Sequence, residues 1–145
     1  MEVAQIEFQS IVTVSVPHDG DVVLELEKFA KESGVTSAVI LGGVGALKRV
    51  VLRNLGTTSV PPYGKEETFE EGFEITSILG NIGFHDGRID SHIHVSIARR
   101  TSEVIGGSLL PGSIVYRRLQ VVLGLVKSLG SGGLDFCEYA KRKDA

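Results

Sequence analysis

Apolar and polar residues alternate along most of this chain, and one segment breaks the rhythm. Near residues 21–33, Val22, Leu26, Phe29 and Ala30 recur at helical spacing, while Glu25, Glu27, Lys28, Lys31 and Glu32 fill the opposite face. Asp19 or Asp21 can cap the start of that helix, and Gly34 stands where helices commonly end. The remainder reads as strand. Residues 6–16 contain the β-forming run Ile11-Val12-Thr13-Val14. Ser37 to Leu41 is an apolar run that ends in Gly42-Gly43-Val44-Gly45, and Val50 to Leu55 follows as a further strand. Gly56 to Glu71, with Pro61, Pro62, Gly64 and several charges, reads as a loop. Phe73 to Phe84 and Ile89 to Ala98 form a hairpin across Asp86-Gly87, a favoured two-residue turn. Val104 to Leu110 and Ile114 to Val126 complete the strands. Ser128 to Gly133 reads as a hinge, and Leu134 to Ala145 as a short tail helix or strand. The pattern predicts an α+β fold: a twisted, mostly antiparallel sheet with one long helix packed on it. It forms a single domain over 1–145, with its core about 8–126 and a C-terminal tail 127–145.

Composition narrows the classes. A chain of 145 residues, 42% hydrophobic and 23% charged, can bury a sizeable core and does not read as disordered. The apolar run Val121-Val122-Leu123-Gly124-Leu125-Val126 is far too short to cross a bilayer. Met1-Glu2-Val3-Ala4-Gln5 lacks the basic start and apolar core of a signal peptide, so a cytoplasmic location is expected. Cys137 is the single cysteine, which excludes an internal disulfide and a zinc ribbon. The formal net charge is −3. Basic residues fall in scattered pairs, Lys48-Arg49, Arg99-Arg100 and Arg117-Arg118, with Lys141-Arg142-Lys143 in the tail. Such pairs read as solvated surface, and direct DNA binding is not expected.

The sharpest chemistry is Ser91-His92-Ile93-His94-Val95. On a strand, alternate side chains share a face, so His92 and His94 stand side by side, roughly 6–7 Å apart at their bases. Two imidazoles so placed can converge on one metal ion at about 2.0–2.1 Å from nitrogen. Zinc normally takes at least three protein ligands, so the pair alone is incomplete. Water, a carboxylate, or His85 of a neighbouring subunit are the candidates to complete it. His85 of the same subunit is not, because the predicted hairpin sets Asn81 opposite His92 and leaves His85 about 13 Å away. His18, just before the helix, reads as loop surface. Gly42-Gly43-Val44-Gly45 matches neither the dinucleotide fingerprint nor the P-loop and reads as a strand bend or bulge. Gly106-Gly107 is either a sheet kink or a place where a ligand approaches the backbone. Glu74 is the one candidate general base for a metal-bound water, or else an ion-pair partner for an arginine. No serine or cysteine has the context of a nucleophile.

In order and spacing these residues resemble the plants-and-prokaryotes-conserved (PPC) domain. The resemblance rests on Phe29-Ala30, Gly42-Gly43-Val44-Gly45-Ala46-Leu47, Gly72-Phe73-Glu74-Ile75, Ser77, Gly80-Asn81-Ile82, His92-Ile93-His94-Val95 and Val104-Ile105-Gly106-Gly107-Ser108-Leu109. It implies a compact homotrimer of the stand-alone prokaryotic type, which in some members carries a metal near the His-x-His strand. In plants such domains follow DNA-binding AT-hooks and mediate self-association; prokaryotic members are often labelled DNA-binding by analogy. Ser108 stands where the family commonly has a third histidine, Gln120 where glutamate is usual, and no Arg-Gly-Arg-Pro AT-hook core occurs. The resemblance therefore implies a divalent metal, zinc by preference, or a small ligand held by His92 and His94, with Glu74, Asn81 and Ser108 nearby. The alternatives are a regulatory or interaction module tied to DNA through partners, and a metal-dependent hydrolase or lyase.

Overall fold

The computed structural model describes residues 1, 3, 5–59, 64–85 and 88–127. Its elements run β1 (Phe8–Pro17), α1 (Val22–Ser33), β2 (Ser37–Leu55), β3 (Gly64–Phe69), β4 (Phe73–His85), β5 (Arg88–Ala98), β6 (Val104–Leu109) and β7 (Ile114–Val126). The turn expected at Asp86-Gly87, the hinge at 128–133 and the tail at 134–145 lie outside the described residues. Among the described residues no helix is long and apolar enough to cross a membrane.

The helix begins where a carboxylate can cap it. Asp21 Oδ1 accepts the Leu24 amide at 3.2 Å, while Oδ2 accepts the Gly112 amide at 2.7 Å. One side chain thus caps α1 and ties it to the turn before β7. Gly34 ends the helix in the left-handed region at φ 67, which glycine enters at no steric cost. Val22, Val23, Leu26 and Ala30 are buried; Phe29 is only partly covered.

The strands form one seven-stranded sheet in the order β1-β7-β2-β4-β5-β6, with β3 paired to β2. Every pairing is antiparallel. β6 returns to β2 through Leu52↔Leu109 and Arg53↔Ser108, so β2, β4, β5 and β6 close on one another.

Two sequence expectations are corrected here. Ser37–Leu41 and Val50–Leu55 are the two ends of one 19-residue strand, β2. Its pairing with β7 shifts register between Ile40 and Gly42, Gly45 and Ala46, and Leu47 and Arg49. The glycine-dense stretch is absorbed in bulges and does not end the strand. At Gly45 a β-carbon would lie 2.6 Å from both the Arg118 carbonyl and Leu119 Cα, so the bulge depends on close backbone approach. Secondly, the predicted loop Gly56–Glu71 contains β3, whose charged Lys65, Glu66 and Glu67 suit an edge strand.

Large side chains such as Phe73, Leu26, Ile78, Ile93, Ile97 and Leu119 fill the core. Among the described residues, Ser113 is the one polar residue buried with them; its hydroxyl accepts from the Val51 amide at 3.0 Å and donates to the Leu110 carbonyl at 2.8 Å. The helix covers the face bearing Ile93, Val95 and Ile97, and Ser91 donates across to Glu27. The opposite face is open. There the cross-strand row Ile11↔Gly124↔Val39↔Asn81↔His92 begins at the exposed Ile11 (60%) and runs beside Val44 (78% exposed) and Leu79 (52%).

Candidate metal centre

His92 and His94 lie on β5, with Ile93 and Val95 buried beneath them on the other face of the strand. That alternation is the reason both imidazoles reach the open surface. Their Nε2 atoms are 3.1 Å apart and the rings meet edge to face, with centroids 4.9 Å apart at an interplanar angle of 76°. At about 2.0–2.1 Å from nitrogen to metal, two neighbouring ligands of one ion are about 2.9–3.4 Å apart. The pair therefore has the bite a divalent ion requires. The same separation is a hydrogen bond when one ring carries its proton on Nε2. Burial, and next the charge of His92, hold the His94 imidazole below the usual histidine range. Both causes favour the uncharged ring, the form that ligates metal.

The neighbours are set by register. Asn81 pairs with His92, as the hairpin predicts, and Leu79 pairs with His94 from the same side. From the other side Ser108 pairs with His94. Asn81 and Ser108 thus flank the histidines. Glu74 does not: it pairs with Ala98, four positions beyond His94, or about 13 Å along the strand. Within one chain it stands too far away to act as general base for this pair. His85 pairs with Arg88 at the far end of the hairpin. Among the described residues, no group of three or more histidine, cysteine, aspartate or glutamate side chains converges on one point.

A shallow hollow of about 430 Å³ adjoins His94, lined by Asn54, Ser96, Val104, Gly106 and Gly107. Asn54 gives it an amide that the sequence reading missed. Its Nδ2 donates to the Gly106 carbonyl at 3.0 Å, and a β-carbon on Gly107 would press within 2.5 Å of its Oδ1. Gly107 thus lets Asn54 lie against the strand. No local signal marks Asn54, because it arrives through the long-range pairing of β2 with β6.

The family model of the Plants and Prokaryotes Conserved (PCC) domain matches residues 4–127, nearly the whole described fold. The chain belongs to this family. A metal-containing protein from Archaeoglobus fulgidus is similar in structure at TM-score 0.74 and 26% identity, covering 88% of this chain and 87% of its own. A protein from Bacteroides thetaiotaomicron, assigned provisionally to DNA binding, is similar at TM-score 0.72 and 25% identity, covering 82% of each chain. Among curated proteins, the bifunctional protein GlmU of a Synechococcus strain is 29% identical over 103 residues. The match covers 71% of this chain but only 15% of that protein.

Proposed function

We propose that this PCC-domain protein is a homotrimer that binds a divalent metal, zinc by preference, through His92 and His94. The observation that carries the reading is the 3.1 Å separation of the two Nε2 atoms on the open face. The metal-containing relative from Archaeoglobus fulgidus supports it. The donor set fits the group in kind, with two imidazoles and a polar flank of Asn81 and Ser108, though not in number. Water or groups of a neighbouring copy supply what remains. A metal held there offers an open coordination position for a small ligand in the hollow beside His94. The chain's own residues orient that ligand: Asn54 and Ser96 present hydrogen-bonding groups. Trimer formation is supported by the open apolar face around Ile11, Val44 and Leu79, which association removes from water.

Cobalt(II) titration followed by visible absorption tests the metal reading. Bands that saturate near one equivalent per chain and vanish in His92→Ala/His94→Ala support it. A spectrum identical for both proteins overturns it.

The second reading is a regulatory or interaction module acting with DNA-bound partners. The same apolar face and the Bacteroides relative favour it. It predicts that partners, and not metal, occupy the open face.

A further inference from the structure

The scattered basic pairs of the sequence meet in the fold. The pairings Ala46↔Tyr116, Arg49↔Ile114, Ala46↔Glu74 and Glu74↔Ala98 bring Lys48-Arg49, Arg117-Arg118 and Arg99-Arg100 to one end of the sheet. Half of these cations are matched locally. Lys48 pairs with Asp19, Arg49 with Glu70 at 3.5 Å, and Arg99 with Glu71 at 2.8 Å and Glu103 at 3.6 Å. Among the described residues, no carboxylate pairs with Arg100, Arg117 or Arg118, and no cation pairs with Glu74.

Of these groups, Arg99, Arg100 and Glu74 line a hollow of about 270 Å³, together with Ala46, Ala98 and Tyr116. It lies about 13 Å from the histidine pair along β5. Ala46 and Ala98 make a small apolar floor. Tyr116 stands over it half exposed (48%), held edge-on by the His18 ring at 5.7 Å. The backbone beside it is strained. Gly45 pairs with Leu119 and Ala46 with Tyr116, so Arg117 and Arg118 are two extra residues in β7. Arg117 is left-handed at φ 64, a conformation disfavoured for any residue but glycine, and its amide is held by His18 Nδ1 at 2.9 Å. Bulges and strained residues of this kind recur where a strand re-aims side chains toward a ligand.

We propose that this hollow binds a small anion that carries a ring and a hydroxyl or amino group. The unmatched Arg100 receives the phosphate or carboxylate, Tyr116 and the alanine floor take the ring, and Glu74 accepts from the hydroxyl or amino group. The volume is just below the range of about 300–1,000 Å³ usual for small-molecule sites, which suits a metabolite and not a polymer. Phosphate and carboxylate share this recognition chemistry, and the test separates them.

Calorimetric titration of the full chain with AMP, with 4-aminobenzoate and with inorganic phosphate tests the proposal. Saturable binding of AMP or of 4-aminobenzoate is expected, the tighter one naming the anion. That affinity falls by about tenfold or more in Arg100→Gln, weakens in Tyr116→Leu, and is unchanged in His92→Ala/His94→Ala. Both exchanged positions in the hollow are exposed, and melting curves matched to the parent confirm that the variants fold. Three results overturn the proposal: no heat from any probe at millimolar concentration, affinity unaltered by the arginine exchange, or binding confined to duplex DNA with a multi-phosphate salt dependence.

Discussion

Gly80 lies directly beneath the backbone of His92: a β-carbon at position 80 would collide with the His92 carbonyl oxygen, and Ile93 Cα lies only 2.9 Å from it. The pose of the histidine pair thus depends on a residue that touches neither ring. Gly80 is at φ 152, which side chains rarely adopt. Gly80→Ala is expected to cost about 1–3 kcal/mol, the usual range for overpacking a well-filled site. It also displaces His92 relative to His94, so metal affinity should fall further than stability does. Urea denaturation with a parallel cobalt titration checks both; a variant with unchanged affinity would separate the strand contact from the site.

Ser113 joins the core to the turn before β7. Its hydroxyl is the acceptor for the buried Val51 amide. Ser113→Ala leaves that donor unmatched, at an expected cost of about 1–3 kcal/mol. Asp21→Ala removes the helix cap and frees the Gly112 amide, with a cost of about 1–2 kcal/mol. The urea midpoint should fall in both cases with little change in slope.

Protonation acts on His94 in one direction. Its folded value lies below the ordinary histidine value of 6.5, first through burial and then through the charge of His92. The uncharged ring is the form the fold favours. Its contribution to stability is therefore full above the unfolded value and is lost as pH falls through the folded value. The parent should lose stability as pH falls below the ordinary histidine value of 6.5, and His94→Gln should show a flatter profile. Denaturation midpoints across that window provide the check; equal slopes would show that His94 is indifferent to its surroundings.

The open face predicts assembly. Val44 and Ile11 are apolar and mostly in solvent in the single chain. Ile11→Lys/Val44→Glu should convert the proposed trimer to a monomer while far-ultraviolet dichroism stays constant. Light scattering reads the mass directly. A trimer that survives both charges assembles through another surface.

Much of this architecture was legible in the sequence because its signals are local. Asp21 and Gly34 bound the helix, Ile114 to Val126 is β7 to the residue, and the Asn81–His92 pairing follows from counting across one hairpin turn. The errors share a cause. Gly42-Gly43-Val44-Gly45 looks like a break because glycine weakens a strand in isolation, yet close approach of β7 makes small residues necessary there. β3 was hidden because a charged edge strand takes its hydrogen bonds from its neighbour and needs no apolar pattern. Asn54 joining the hollow beside His94, Glu74 standing apart from it, and three basic pairs meeting at one end are consequences of register between distant strands. Sequence spacing carries no record of that register.

The most direct test of the account is elemental analysis of untagged protein beside His92→Ala/His94→Ala, with particle mass from light scattering. The account predicts a near-stoichiometric divalent metal on a trimeric particle, lost in the variant while the trimer persists. A metal-free protein whose melting temperature does not rise with added zinc would contradict it, and would leave His92 and His94 as surface polar residues of an assembly domain.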